Sequence, residues 1–235
     1  MAHTAAAMPA TEVRVNRFLA QVYLIMSLGL VVTALVATWV SSNARLLFRV
    51  AADPWFAFGL FIIQIIVVIA LSAAAMRLAP AVAALLFLLY SALTGLTISS
   101  IFLVYTQETI GYIFWITAGT FFVTSLFGLL FKRDLSASGN VLLMLLLGWM
   151  IAWLFSWLLP FSSINWLLTF LGIALFVGLT AHDTQRLKQI GTQLGEHPAE
   201  PEYSSGSGLA VLGALTLYLD FINLFLLMLR ASRRR

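Results

Sequence analysis

The chain has 235 residues, of which 62% are hydrophobic and only 9% charged, with a mean hydropathy of +1.01. Water-soluble domains carry roughly a quarter charged residues, so this composition excludes a soluble domain. The net charge of +4 sits in the short flanks of apolar runs, where basic residues orient helices and do not form a nucleic-acid surface. There is no cysteine, which excludes disulfides, thiolate metal sites and thiol redox chemistry.

In chain order, a polar N-terminal tail (1–17) precedes seven apolar runs at 18–40, 55–76, 81–105, 110–131, 141–159, 164–181 and 209–229. Each is about 18–25 residues, the length a helix needs to cross a bilayer core. The first run is too long for a signal-peptide core and is expected to be retained as a helix. Punctuation is ordinary: Asp53-Pro54 opens the second run, Pro80 the third, Lys132-Arg133-Asp134 closes the fourth, and Pro160 separates the fifth from the sixth. The longest polar stretch, 182–208, reads as a loop. The expected fold is an all-α membrane protein with one seven-helix transmembrane domain (18–230) and a basic C-terminal tail (231–235).

Lys and Arg in short loops set orientation. With the N-terminus inside, the inner segments of the first six crossings hold Arg14, Arg17, Arg77, Lys132, Arg133, Arg186 and Lys188, against Arg45 and Arg49 outside. Arg230, Arg233, Arg234 and Arg235 break the pattern, because a seventh crossing puts them outside. A full crossing is favoured by length, and a re-entrant last segment is the alternative.

Polar residues inside the runs carry the functional question. Ser91, Gly95 and Ser99 lie four apart, a small-residue stripe suited to close helix packing, while Thr94, Thr97 and Ser100 add hydroxyls that could face a wet interior. Trp55, Tyr105, Trp115, Trp153, Trp157 and Trp166 sit near run ends, as interfacial anchors do. Asp220 falls about eleven residues into the last run, near the midplane, where a lone carboxylate costs at least ~2.5 kcal/mol. Gly213, Thr216, Asp220 and Asn223 recur at steps of three and four and share one helix face. Asp183 ends the sixth run, at a different depth by the run boundaries. The bland reading makes Asp220 interhelical glue and Asp183 a local ion pair with Arg186. Arg77, at the inner end of the second run, is placed at a depth similar to Asp183, to which it could offer a bidentate contact.

Other chemistry finds little support. His182 projects about 100° from Asp183 on a helix, and with His3 and His197 it gives no zinc-ligand spacing. Gly206-Ser207-Gly208 has neither the Lys of a phosphate loop nor the Gly-x-Ser-x-Gly of a nucleophile elbow. Two aspartates on the last two runs suggest an intramembrane aspartyl protease, but His182-Asp183 and Tyr218-Leu219-Asp220 match neither presenilin-type motif. The chain is therefore not expected to be an enzyme or to hold a resident cofactor.

The segments 178–185 (GLTAHDTQ) and 214–225 (ALTLYLDFINLF), with 90–97 (YSALTGLT) and 132–136 (KRDLS), resemble the Bax inhibitor family of membrane proteins, most closely its bacterial inner-membrane branch. The resemblance covers nearly the whole chain. It implies a seven-helix fold whose last helix is central and wrapped by two groups of three. It further implies a pH-sensitive calcium leak in which Asp183 and Asp220 share a proton and Arg77 latches one of them. Relatives may carry a glutamate in the second helix; here run 55–76 has no acid, only Gln64.

Residues and resemblance converge on proton-gated cation leakage, with Thr216 and Asn223 as a supporting polar face. Two adjacent carboxylates titrate as a coupled pair. They are too few for a calcium cage of six to eight oxygens, so Asp183 and Asp220 are expected to hold calcium only weakly and in transit. The rival is a membrane interaction protein that restrains a protease or cell-death factor. The expected partners are the lipid bilayer, calcium ions and an unspecified membrane protein.

Overall fold

A computed structural model of the chain describes residues 10–131, 136–158, 162–196 and 206–233. The Lys132-Arg133-Asp134 turn, Pro160, Ser204-Ser205, Arg234-Arg235 and the side chain of Trp157 lie outside the described residues. No strand occurs among the described residues. Seven helices are long and apolar enough to span a membrane: α1 (Ala10–Ser42), α3 (Pro54–Ala74), α4 (Pro80–Ile98, continued by a 3-10 turn at Ser99–Leu103), α5 (Gln107–Leu130), α6 (Ser136–Leu158), α7 (Ser162–Glu196) and α8 (Gly206–Ser232). A short α2 (Ala44–Ala52) links the first two. It is amphipathic, burying Leu47 and Val50, and the run pattern missed it because it is too short and too charged to span. Local chemistry sets the starts. Asn43 accepts from the Leu46 N–H, Asp53 from those of Trp55 and Phe56 with Pro54 following, and Thr106 from that of Thr109.

Two boundaries differ from the sequence expectation, and the full crossing favoured for the last run is what forms. α1 starts at Ala10, inside the stretch taken as a polar tail, where Val15 extends the buried face begun by Phe18 and Leu19 of the first run. α7 runs on through Glu196 where a loop is expected, and its extension is stitched to the end of α5: Gln185 Nε2 donates to the Phe131 carbonyl at 3.0 Å and Lys188 Nζ to the Leu129 carbonyl at 2.8 Å. These bonds satisfy carbonyls that a helix end leaves open. α8 is unbroken over 27 residues, about 40 Å at ~1.5 Å per residue, so a re-entrant last segment is not what the chain forms.

α8 is central. Two-thirds of its most apolar stretch (67%) is buried inside the protein, against 6% for α6 and 11% for α3. α1, α4, α5 and α7 pack on it directly. α6 reaches it through Leu146 and Trp149 beside Leu224 and Leu227, and the end of α3 through Ala75 against Gly208. The remaining surface of α3 and α6 is apolar and faces lipid, as it should where no water can be met.

The middle of the bundle is fixed by Tyr218, which is fully buried. The Thr33 hydroxyl lies 2.9 Å from both the Gly29 and Ser91 carbonyls and gives its proton to them. The Tyr218 hydroxyl, 2.6 Å away, therefore donates to the Thr33 oxygen. Phe87 and Tyr90 meet the Tyr218 ring edge-on at 5.5 and 6.1 Å. The small-residue stripe performs packing: a Cβ on Gly95 would lie 2.6 Å from the Thr33 carbonyl and 2.9 Å from Val36 Cβ. Thr94, Thr97 and Ser100 bond back to carbonyls three or four residues earlier in the chain. Thr97 also takes a hydrogen bond from Gln64, the polar residue of α3, tying that outer helix to α4.

Two outcomes follow. Gly95→Ala is expected to cost about 1–3 kcal/mol by overpacking and to lower the melting temperature of detergent-solubilised protein by several degrees; an unchanged melting temperature refutes the close α1–α4 contact. Seven crossings put the two termini on opposite sides of the membrane, which reporter fusions at each end will show.

Candidate functional site

Asp183 lies thirteen residues before the end of α7, not at the end of a span. The helical extension to Glu196 removes the depth difference that the run boundaries imply. Asp183 and Asp220 line the same cavity from neighbouring helices, with their carboxyl groups near enough to interact across the α7–α8 contact. Asp220 is 5% exposed, and its Oδ2 has no hydrogen-bond partner among the described residues. Two ionised carboxylates offer only acceptors, so the two side chains could hydrogen-bond directly only with a proton between them.

His182 completes the group, and sequence reasoning missed it. Its Nδ1 lies 2.8 Å from Asp183 Oδ1, with side-chain exposures of 13% and 16% for the two residues. Helical projection separates the two Cβ directions, but the carboxylate reaches back to the ring. The far edge of the imidazole is closed off by α6, where a Cβ on Gly139 would come within 2.7 Å of Nε2. His182 thus holds Asp183 from one side while Asp220 meets it from the other. Adjacency to Asp183 was the only available signal.

These residues floor a cavity of about 1300 Å³ bounded by α6, α7 and α8, with Phe61 of α3 at its far side. Thr216 and Asn223 line it with Asp220, as their spacing predicts. Gly213 does not; it is wedged against Leu187 and Val22. Arg186 also lines the cavity, but it is exposed and makes no ion pair with Asp183 among the described residues. No group of three or more His, Asp or Glu side chains is arranged to hold a metal among the described residues. The anchors expected at span ends include Trp55 and Trp115, both largely exposed. Trp149 instead turns inward, donating from Nε1 to the Leu168 carbonyl at 2.7 Å and lining the cavity.

The structure does not bring Arg77 to Asp183. Arg77 is exposed in the turn after α3, beside Ala75, whose carbonyl packs on Gly208. Gly208 lies twelve residues before Asp220 on α8, a rise of about 18 Å, well beyond the reach of an arginine side chain to the pair. The expectation of equal depth rested on α7 ending near Asp183, and α7 does not end there.

Comparison with known proteins places this architecture. The family model described as "Inhibitor of apoptosis-promoting Bax1" matches residues 15–234. The chain belongs to the Bax inhibitor-1 family. Among its relatives, the inner membrane protein YbhL of Escherichia coli is 46% identical over 218 residues, covering 93% of this chain and 92% of YbhL. A protein of Borreliella burgdorferi named only as uncharacterized is 40% identical over 220 residues (94% and 93%), and one of Deinococcus radiodurans is 37% identical over 222 (94% and 92%). The chain is thus a multi-pass membrane protein of this family, with the family-like segments 178–185 and 214–225 supplying the two aspartates that meet at the cavity floor.

The separation of Arg77 from the pair is testable by a double-mutant cycle. Arg77→Ala and Asp183→Asn are expected to change unfolding stability additively within about 0.5 kcal/mol, as distant sites do. A larger coupling energy would put the two in contact in solution.

Proposed function

We propose that this chain is a pH-sensitive calcium leak of the bacterial inner membrane, with its N-terminus cytoplasmic, gated by the Asp183–Asp220 pair. The observation that carries this reading is the placing of two aspartates, one of them buried, on neighbouring helices at the floor of one open cavity. With one proton between them, the two side chains hold α8 against α7. When that proton leaves, two like charges remain in a poorly solvated place, where repulsion at 4 Å reaches about 4 kcal/mol at an effective dielectric of 20. The contact then opens and presents oxygens to a cation. His182, already on Asp183 Oδ1, keeps that carboxylate oriented while its partner swings away. Thr216 and Asn223, beside Asp220, supply further oxygens but not the six to eight of a tight calcium site. The ion is therefore cargo in transit and not a resident cofactor, and no bond is made or broken. The Arg77 latch has no part in this mechanism. Orientation rests on the basic residues of the inner turns.

A second reading, that the chain restrains a partner protein in the membrane, draws on the family's description, which names an inhibitor of Bax1. Liposomes containing only this protein separate the two, since a partner-dependent protein passes no ion alone.

In such liposomes calcium flux is expected to rise with pH in the wild type. Asp220→Asn retains a hydrogen-bonding side chain that cannot titrate, and its flux is expected to be flat with pH while its melting behaviour stays close to wild type. A folded variant that keeps the full pH response overturns the pair as the gate, and wild-type protein that passes no calcium at any pH overturns the leak.

A further inference from the structure

The cavity has a polarity gradient that the leak does not use. Along α6 its wall runs from Asn140 to Leu154, a rise of about 21 Å. At one end it is polar, with Asn140, Arg186 and Gln189; the two aspartates come next; beyond them Leu147, Met150, Leu154 and Phe176 make it wholly apolar. It is also open to lipid. α3 packs on α4 and α6 packs on α7, which leaves α8 uncovered between α3 and α6, and Thr216 is exposed on a helix that is otherwise mostly buried.

We propose that this cavity is a binding site for a single-chain cationic amphiphile, with a protonated amine at Asp183 and Asp220 and its hydrocarbon chain along α6. The chemistry of the floor selects the head. Asp220 Oδ2 is buried with no hydrogen-bond partner among the described residues, and an ammonium brings three donors and one positive charge. The pair is then doubly ionised and, with the one ammonium, keeps the same net charge of about −1 that it has with one shared proton, and Asn223 can accept a remaining N–H. The charged groups facing this place are the two aspartates and Arg186 on α7, with His182 against Asp183. The order of depth argues against an anionic head. Arg186 lies one turn beyond Asp183, away from the apolar wall, so an anion anchored there would lay its chain across two carboxyl groups. An ammonium at the aspartates instead sends its chain straight into the apolar part. The volume exceeds the usual ~300–1,000 Å³ of small-molecule sites, leaving room for a chain.

This inference rests on where the pair sits in the cavity and not on the pair gating a leak. A protein that binds the amine but passes no calcium keeps it; a protein that leaks but shows no amine preference loses it. Full-length protein in phosphatidylcholine nanodiscs, titrated with dodecylamine, dodecanol and dodecanoate, provides the test by calorimetry and by mass spectrometry of the intact complex. One dodecylamine per protein is expected, held at least about tenfold more tightly than either matched chain. Asp220→Asn is expected to bring the amine down to the level of the alcohol, and Leu147→Trp, which narrows the apolar part, to weaken amine and alcohol together. Equal affinity for amine and alcohol in the wild type overturns the proposal, and needs no variant to be read. Preference for dodecanoate also overturns it and makes Arg186 the anchor. An amine preference that survives in folded Asp220→Asn protein overturns it as well.

Discussion

Two carboxyl groups facing each other inside an apolar bundle cannot both be charged without a large cost, and the rest of this protein is arranged around that constraint. A single aspartate at the bilayer centre costs about 2.5–3.5 kcal/mol on insertion scales. A second one in contact with it adds repulsion unless a proton, a cation or water intervenes. Asp220 is 5% exposed, so bulk water is scarce there, and its Oδ2 has no hydrogen-bond partner among the described residues. In the proposed reading a shared proton is therefore structural as well as chemical. It lets the most buried helix of the bundle carry an acid at its middle.

The packing treats the two sides of the pair differently. On the α8 side everything is fixed. Tyr218, two residues before Asp220, is locked by Thr33 and by the rings of Phe87 and Tyr90, and Phe221, one residue after, meets Phe114 and Phe121 edge-on. On the α7 side Thr184, Gln185 and Lys188 bond to α5, while His182 and Asp183 face the cavity. The outer wall is the loose element. α6 is almost entirely lipid-facing and rests on α7. A rigid core thus carries the aspartates, and the least anchored helix covers them. Local openings draw on such weakly packed elements by necessity.

Much of this was legible in the sequence, for physical reasons. Apolar runs of spanning length must become helices in lipid, because every backbone group needs an internal partner, so the seven crossings and the place of Asp220 follow directly. Thr216, Asp220 and Asn223 lie on one face because 3.6-residue periodicity leaves no alternative. What hydropathy could not see was where helices end in water. Run 164–181 stops at the apolar limit, yet α7 continues to Glu196, since a helix needs backbone bonds and a packing partner and not hydrophobicity. That single extension puts Asp183 level with Asp220 and leaves Arg77 remote. The His182–Asp183 contact was hidden by reasoning from Cβ directions alone, which ignores how far a carboxylate bends back.

Under the two proposals, the floor of the cavity offers one set of oxygens to three kinds of visitor. A proton satisfies the pair with the least rearrangement, since it needs only two neighbouring oxygens. A calcium ion needs several more, and the described residues provide no third acidic ligand, so it must keep part of its water shell and binds weakly. An ammonium lies between: it carries its own donors, needs no cage, and is helped by whatever apolar surface its chain can cover. Because one Asp183 oxygen is engaged by His182, the three cannot share the floor. Occupation by one would exclude the others, so the proposed ion path and the proposed amine cleft would be linked through the same four carboxylate oxygens.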